Sequence, residues 1–156
     1  MRVQLLRFGG YQAGQTDFGT GGAAVPGNPV EQLADALKVI AKGIAGSENV
    51  RSTITVAGHS DRQDNPDFSC DQRRESEIVN SRDRAISAWE ACKSFITNEL
   101  QQAGSPEAEV EWWDTSDRVT WDLVFAATGM LLNGSANEAE RAQNRRVDIL
   151  ISIFPV

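Results

Sequence analysis

The sequence predicts an α/β chain folded as a two-layer α+β sandwich, in which helices cover a mixed four-stranded sheet. Three observations carry that expectation. Short β-prone runs at residues 3–8, 52–57 and 147–154 are separated by segments whose apolar residues recur at helical spacing. The last run is apolar almost throughout, as a strand inside a sheet would be. Consecutive strand–helix–strand units imply parallel neighbours joined by right-handed crossovers. The expected order is β-α-β-α-β-(α)-β.

The chain has 156 residues, enough for one domain spanning 1–156 with a core of its own. Hydrophobic residues make up 40% and charged residues 24%, as in soluble globular chains. A net charge of -7 argues against nucleic acid as a partner. No apolar run approaches the roughly 20 residues that span a bilayer, so no transmembrane segment is expected. Residues 1–8 also lack the apolar core of about 7 to 15 residues of a signal peptide. The expectation is therefore a chain not exported by the usual route, or a mature or trimmed form.

Residues 3–8 read as the first strand. Residues 9–27 hold seven glycines and form a long loop. None of them sits in a phosphate-cradling pattern between strand and helix, and the loop's length points to contacts of its own. The first helix starts on a capping pattern: Asn28 as N-cap, Pro29 at the first helical position and Glu31 completing a capping box. Leu33, Leu37, Ile40 and Ile44 form its apolar stripe, and Gly46 stops it. In the strand at 52–57, Ile54 and Val56 share a face. Residues 62–79 read as an enlarged polar loop with a short helical piece at 71–78. The next helix takes Ser81 as N-cap. It carries Ala85, Trp89, Cys92, Ile96 and Leu100 on one face and ends near Gly104, with Pro106 beyond. Residues 109–114 read as a third strand. That places one of Trp112 and Trp113 in the core and argues against tandem sugar platforms. Residues 121–132 read as a helix, 133–143 as a polar loop with helical character at 138–142, and 147–154 as the final strand.

The chemistry concentrates between Ile54 and Arg84. Asp61 ends a strand, and Arg84 stands in the first turn of the helix expected to follow. If the two converge they can hold a zwitterion, the acid taking an ammonium and the guanidinium a carboxylate in a fork. Other chemistries find little support. His59, Ser60 and Asp61 are adjacent on a strand and alternate in direction, so they cannot build a nucleophile–base–orienter chain. No second such set is present, and no enzyme is expected. Cys70 and Cys92 leave a disulfide open, although Cys92 on an apolar helical face is the commoner setting of a buried free thiol. Two cysteines and one histidine without ligand spacing give no metal site, and no cofactor is expected.

Three motifs then resemble the OmpA-like domain family. These are Gly58-His59-Ser60-Asp61 at a strand end, Ser81-Arg82-Asp83-Arg84-Ala85 in a helix, and Asn144-Arg145-Arg146-Val147-Asp148-Ile149 entering the last strand. The family includes the C-terminal domain of OmpA, the peptidoglycan-associated lipoprotein and the stator protein MotB. The resemblance covers about residues 52–153 and implies non-covalent binding of peptidoglycan through the diaminopimelate of its stem peptide. It places the ligand pair on Asp61 and Arg84, the same residues the charge argument selects. Ser60, Asn144 and Arg145 fall beside that site. Ser81 as N-cap would hold a helix end whose free N–H groups and dipole favour a carboxylate. Arg82 competes with Arg84 for the role, and Arg84 is kept because it directly precedes Ala85. The pattern departs from the family in three places: the longer loop after Asp61, Asn80 directly before Ser81 without the usual Leu, and Trp112 to Asp117 in place of a glycine-containing segment. The resemblance implies a cell-envelope or periplasmic location, with a cytoplasmic or assembly-associated one left open by the missing signal peptide. The alternative is the same fold without wall binding, used as a protein–protein or structural module of an envelope, secretion or injection assembly.

Overall fold

The computed structural model describes residues 1–156. Strands β1 (Arg2–Phe8), β2 (Val50–Gly58), β3 (Val119–Phe125) and β4 (Val147–Pro155) form one sheet in the order β1-β4-β2-β3. β4 runs antiparallel to β1 and β2, whereas β2 and β3 are parallel, so the sheet is mixed as expected. The most apolar strand takes an inner position, where both its edges are hydrogen-bonded. β4 therefore separates β1 from β2, and the expected parallel neighbours are found only in β2 and β3.

The register builds the core. Ile54 lies opposite Ile151 and Trp121, and Val56 opposite Ile149 and Leu123, so one face of the sheet is apolar. Helices α1 (Val30–Ile44) and α2 (Cys70–Gln102) bury their stripes on that face. In α1 the stripe is Leu33, Leu37, Ile40 and Ile44; in α2 it is Ala85, Trp89, Cys92, Ile96 and Leu100. The two helices run over one face only, which gives two layers. Gly58 allows α2 to come down onto β2: a Cβ there would stand 1.8 Å from the Ser81 carbonyl oxygen. No helix is long and apolar enough to cross a membrane.

Several expectations are corrected. Asn28 does not cap α1; its side-chain amide turns back to the Gly9 and Gly22 carbonyls, and Pro29 precedes the helix without a side-chain cap. Gly46 does end the helix, with φ of 72°. Helix α2 begins at Cys70, not at Ser81. Ser69 caps it, and Gln72 completes a capping box. The irregular stretch after Asp61 is thus 62–69, and the helical piece expected at 71–78 is the start of α2, continuous with the helix that follows. Residues 109–114 form no strand; they hold a 3-10 turn (Pro106–Glu109) and a one-turn helix, α3 (Trp112–Thr115). The third strand lies further on, at β3, which overlaps the start of the segment 121–132 read as a helix. Trp121 stacks there on Trp89 with ring centroids 4.4 Å apart, and Trp112 meets the same ring edge-on at 6.2 Å. Trp112 is fully buried, as core. The short helix α4 (Glu138–Asn144) leads into β4. Both cysteines are free, Cys70 exposed and Cys92 buried, which settles the open disulfide.

Candidate functional site

Asp61 follows the end of β2 and is buried at 5% exposure. A lone buried carboxylate is costly, and the fold surrounds it with donors. Asn144, the last residue of α4, donates from Nδ2 to Asp61 Oδ1 at 2.9 Å, and the Ser135 hydroxyl donates to the same oxygen. Asn144 is itself fixed, because its Oδ1 accepts the backbone N–H groups of Leu132 (2.8 Å) and Asn133 (3.3 Å). The other carboxylate oxygen, Oδ2, is buried without a hydrogen-bond donor. Its nearest cation is Arg141 Nη1, at 3.6 Å.

Arg84 projects from the middle of α2 and is fully buried. Its Nε donates to the Gln15 carbonyl and its Nη1 to the His59 carbonyl, both at 2.9 Å. The guanidinium lies 5.1 Å from the centre of the Tyr11 ring, a cation–π contact. Burial pushes its pKa down to about 10, with Tyr11 and Asp61 opposing that shift and Arg145 adding to it, so it stays charged at neutral pH. The same burial raises the Tyr11 phenol above its usual range, against the pull of Arg84. Nη2 of Arg84 makes no hydrogen bond within the protein.

Asp61 and Arg84 form no direct ion pair. They line one small cavity of about 110 Å³ with Ser60, Glu77, Arg141 and Arg145, almost all polar. That space suits the charged end of a ligand: its volume is that of several water molecules, too small for a whole saccharide. A carboxylate oxygen lacking a donor and a guanidinium with a free edge therefore share one opening.

The remaining expected residues take supporting places. Ser60 lines the cavity, and its N–H donates to the Ala127 carbonyl at 2.8 Å. Ser81 is not an N-cap. It sits about 16 Å along α2 from Cys70, at 1.5 Å per residue, and its hydroxyl donates back to the Ile78 carbonyl at 2.8 Å. The same oxygen accepts the Ala127 N–H at 3.1 Å, so Ser81 sets the segment that holds Ser60. No helix N-terminus reaches the site, and the dipole contribution expected from Ser81 falls away. Arg145 is buried; its Nε donates to the Tyr11 carbonyl at 2.7 Å, and its Nη2 pairs with Glu138. His59 packs against Asp148, with Nε2 3.2 Å from Oδ2, and is part of the frame.

Four contributors escape a reading of motifs: Tyr11, the Gln15 carbonyl, Ser135 and Arg141. Two of them lie in the glycine-rich loop, which makes the contacts its length suggested. Gly21 and Gly22 wrap Tyr11 so closely that a Cβ on either would come within 2.6 Å of its side chain. Two aromatics, Tyr11 and Phe18, in a glycine-rich stretch were the available signal.

The fold and site define an α+β domain with a polar, buried acid–guanidinium cavity beside the end of β2. No family model matches the chain, and no curated protein matches it. Solved OmpA-like structures align with most of it. The cell wall anchor of the T6SS from Pseudomonas aeruginosa is 18% identical, with a TM-score of 0.43, over 99% of this chain and 82% of that one. The periplasmic domain of Helicobacter pylori MotB is 18% identical, with a TM-score of 0.42, over 97% and 83%. The peptidoglycan-associated lipoprotein from Burkholderia pseudomallei is 14% identical, with a TM-score of 0.46, over 94% and 90%.

Proposed function

We propose that the domain binds peptidoglycan non-covalently through the diaminopimelate of the stem peptide and anchors an assembly to the cell wall, acting in the envelope. In this reading Asp61 Oδ2 takes the ligand ammonium and the free edge of Arg84 takes its carboxylate. Ser60 and Arg145 line the entry, and Asn144 holds Asp61. The observation that carries it is the buried Asp61 oxygen without a donor, in the same cavity as an unspent guanidinium edge. Diaminopimelate presents those two charges on one carbon, and the three motifs point to the same ligand.

A second reading keeps the fold and drops the wall, leaving a protein–protein module of an envelope or secretion assembly. It is favoured by the chain's own groups at the site: Arg141 lies over Asp61, and the Gln15 carbonyl takes one edge of Arg84.

Co-sedimentation with purified diaminopimelate-type peptidoglycan separates them. Asp61→Asn keeps the shape and removes the charge; Arg84→Lys keeps the charge and removes the fork. The wild type pellets with the wall, and each variant binds roughly tenfold or more weakly, as loss of one charged hydrogen bond would give. Undiminished binding by both variants refutes the assigned site. A wild type that stays in solution supports the second reading.

A further inference from the structure

Arg141 is the one cation in ion-pair range of Asp61, and it is held by two acids rather than one. It stands on α4, with Nη1 3.6 Å from Asp61 Oδ2, close enough to pair and too far for a hydrogen bond. Its Nη2 is bonded to Asp64 Oδ2, on the irregular stretch 62–69 that follows Asp61. The setting is asymmetric: the Asp61 side chain is 3% exposed, that of Arg141 29% and that of Asp64 55%. Arg145 offers no substitute, since Tyr11 and Glu138 hold it.

We propose that Arg141 is a displaceable counter-ion, shared between Asp61 and Asp64, that tunes the affinity of the ammonium subsite. With the site empty it offsets part of the buried charge on Asp61. When a ligand ammonium donates to Asp61 Oδ2, Arg141 moves wholly onto Asp64. Asp64 thus holds the competitor off the site, and the two residues act with opposite sign. This rests on the wall-binding reading above and adds to it a built-in brake and its release.

The test is calorimetric titration of diaminopimelate into the wild type, Arg141→Gln, Asp64→Asn and the double variant. Thermal melts check that each is folded. Removing the competitor tightens binding about fivefold, the upper end for a partly exposed pair. Asp64→Asn weakens binding, because Arg141 then settles on Asp61. The double variant matches Arg141→Gln, since Asp64 acts only through Arg141. Pimelate, which lacks the ammonium groups, shows no gain with Arg141→Gln. Binding by Arg141→Gln alone also supports the brake. Two single variants that shift affinity in the same direction, or not at all, overturn the brake and leave wall binding standing. No diaminopimelate binding by any of the four overturns the wall-binding reading and the brake together.

Discussion

Gly58→Ala should be the most damaging small substitution in the chain. Gly58 ends β2 where α2 crosses it, and an added Cβ would stand 1.8 Å from the Ser81 carbonyl oxygen and 2.9 Å from the Ala85 nitrogen. Both obstacles are backbone, so no side chain can turn aside. The first contact is more than about 1.5 Å inside a normal van der Waals approach of about 3.5 Å. Strand and helix must separate by roughly that amount, or β2 must leave its register with β3 and β4. Overpacking costs typically 1 to 3 kcal/mol, and a clash with two rigid elements falls at about 3 kcal/mol or above. For a chain of this size that lowers the midpoint by roughly 6 to 12 °C. Thermal unfolding followed by circular dichroism reads it directly. The same shift separates the strand leading to Asp61 from the helix bearing Arg84, so the proposed wall binding should fall even where the variant stays folded. A midpoint within about 2 °C of the wild type would refute the packing argument.

Other outcomes follow from single residues. Asn144→Ala leaves the N–H groups of Leu132 and Asn133 and one oxygen of Asp61 short of partners. It should cost about 3 kcal/mol in urea titration; a loss under about 0.5 kcal/mol would show that Asn144 is no hub. Burial alone would raise the pKa of the Asp148 carboxyl, but His59, Arg7 and Arg146 hold it below its usual 3.8. A depressed acid stabilises the fold above its unfolded pKa, and the contribution fades as pH falls through the native value. Asp148→Asn should therefore melt well below the wild type at pH 7, with the gap closing below about pH 4; a gap that widens in acid would contradict the sign. Burial pushes the Cys92 thiol up to about 12, whereas Cys70 is exposed. A thiol reagent should titrate one equivalent in the native protein and a second only in denaturant.

Helical and strand periodicity made β1, β2, β4, α1 and the apolar half of α2 legible. Each buries one face, and that face is written as a 2- or 3.6-residue repeat. The first three turns of α2 were legible only as a short helical piece at 71–78 inside a loop, separate from the helix that follows, because they bury little and carry no stripe. The signal for where the helix begins was the capping box at Ser69 and Gln72, in a strongly polar segment. β3 was missed although Val119, Trp121 and Leu123 alternate. The apolar residues after it continue at spacings that also fit a helix, and a strand's pairing partner lies far away in sequence.

Four polar residues of the candidate site were legible in the sequence alone: Asp61 at a strand end, Arg84 before Ala85, and Asn144 and Arg145 ahead of the last strand; the charge of Arg141 was not. Their types and order need no fold to be recognised. How those residues are held was decided only by the tertiary structure. Arg84 comes from the middle of a helix, Ser81 sets a loop instead of a helix end, and Tyr11 and Gln15 fold in from the far end of the chain. Asp61 is shared with Arg141 and Ser135. A buried charge takes its partners from whatever the packing brings within a few ångströms, and those contacts join residues 69 to 83 positions apart.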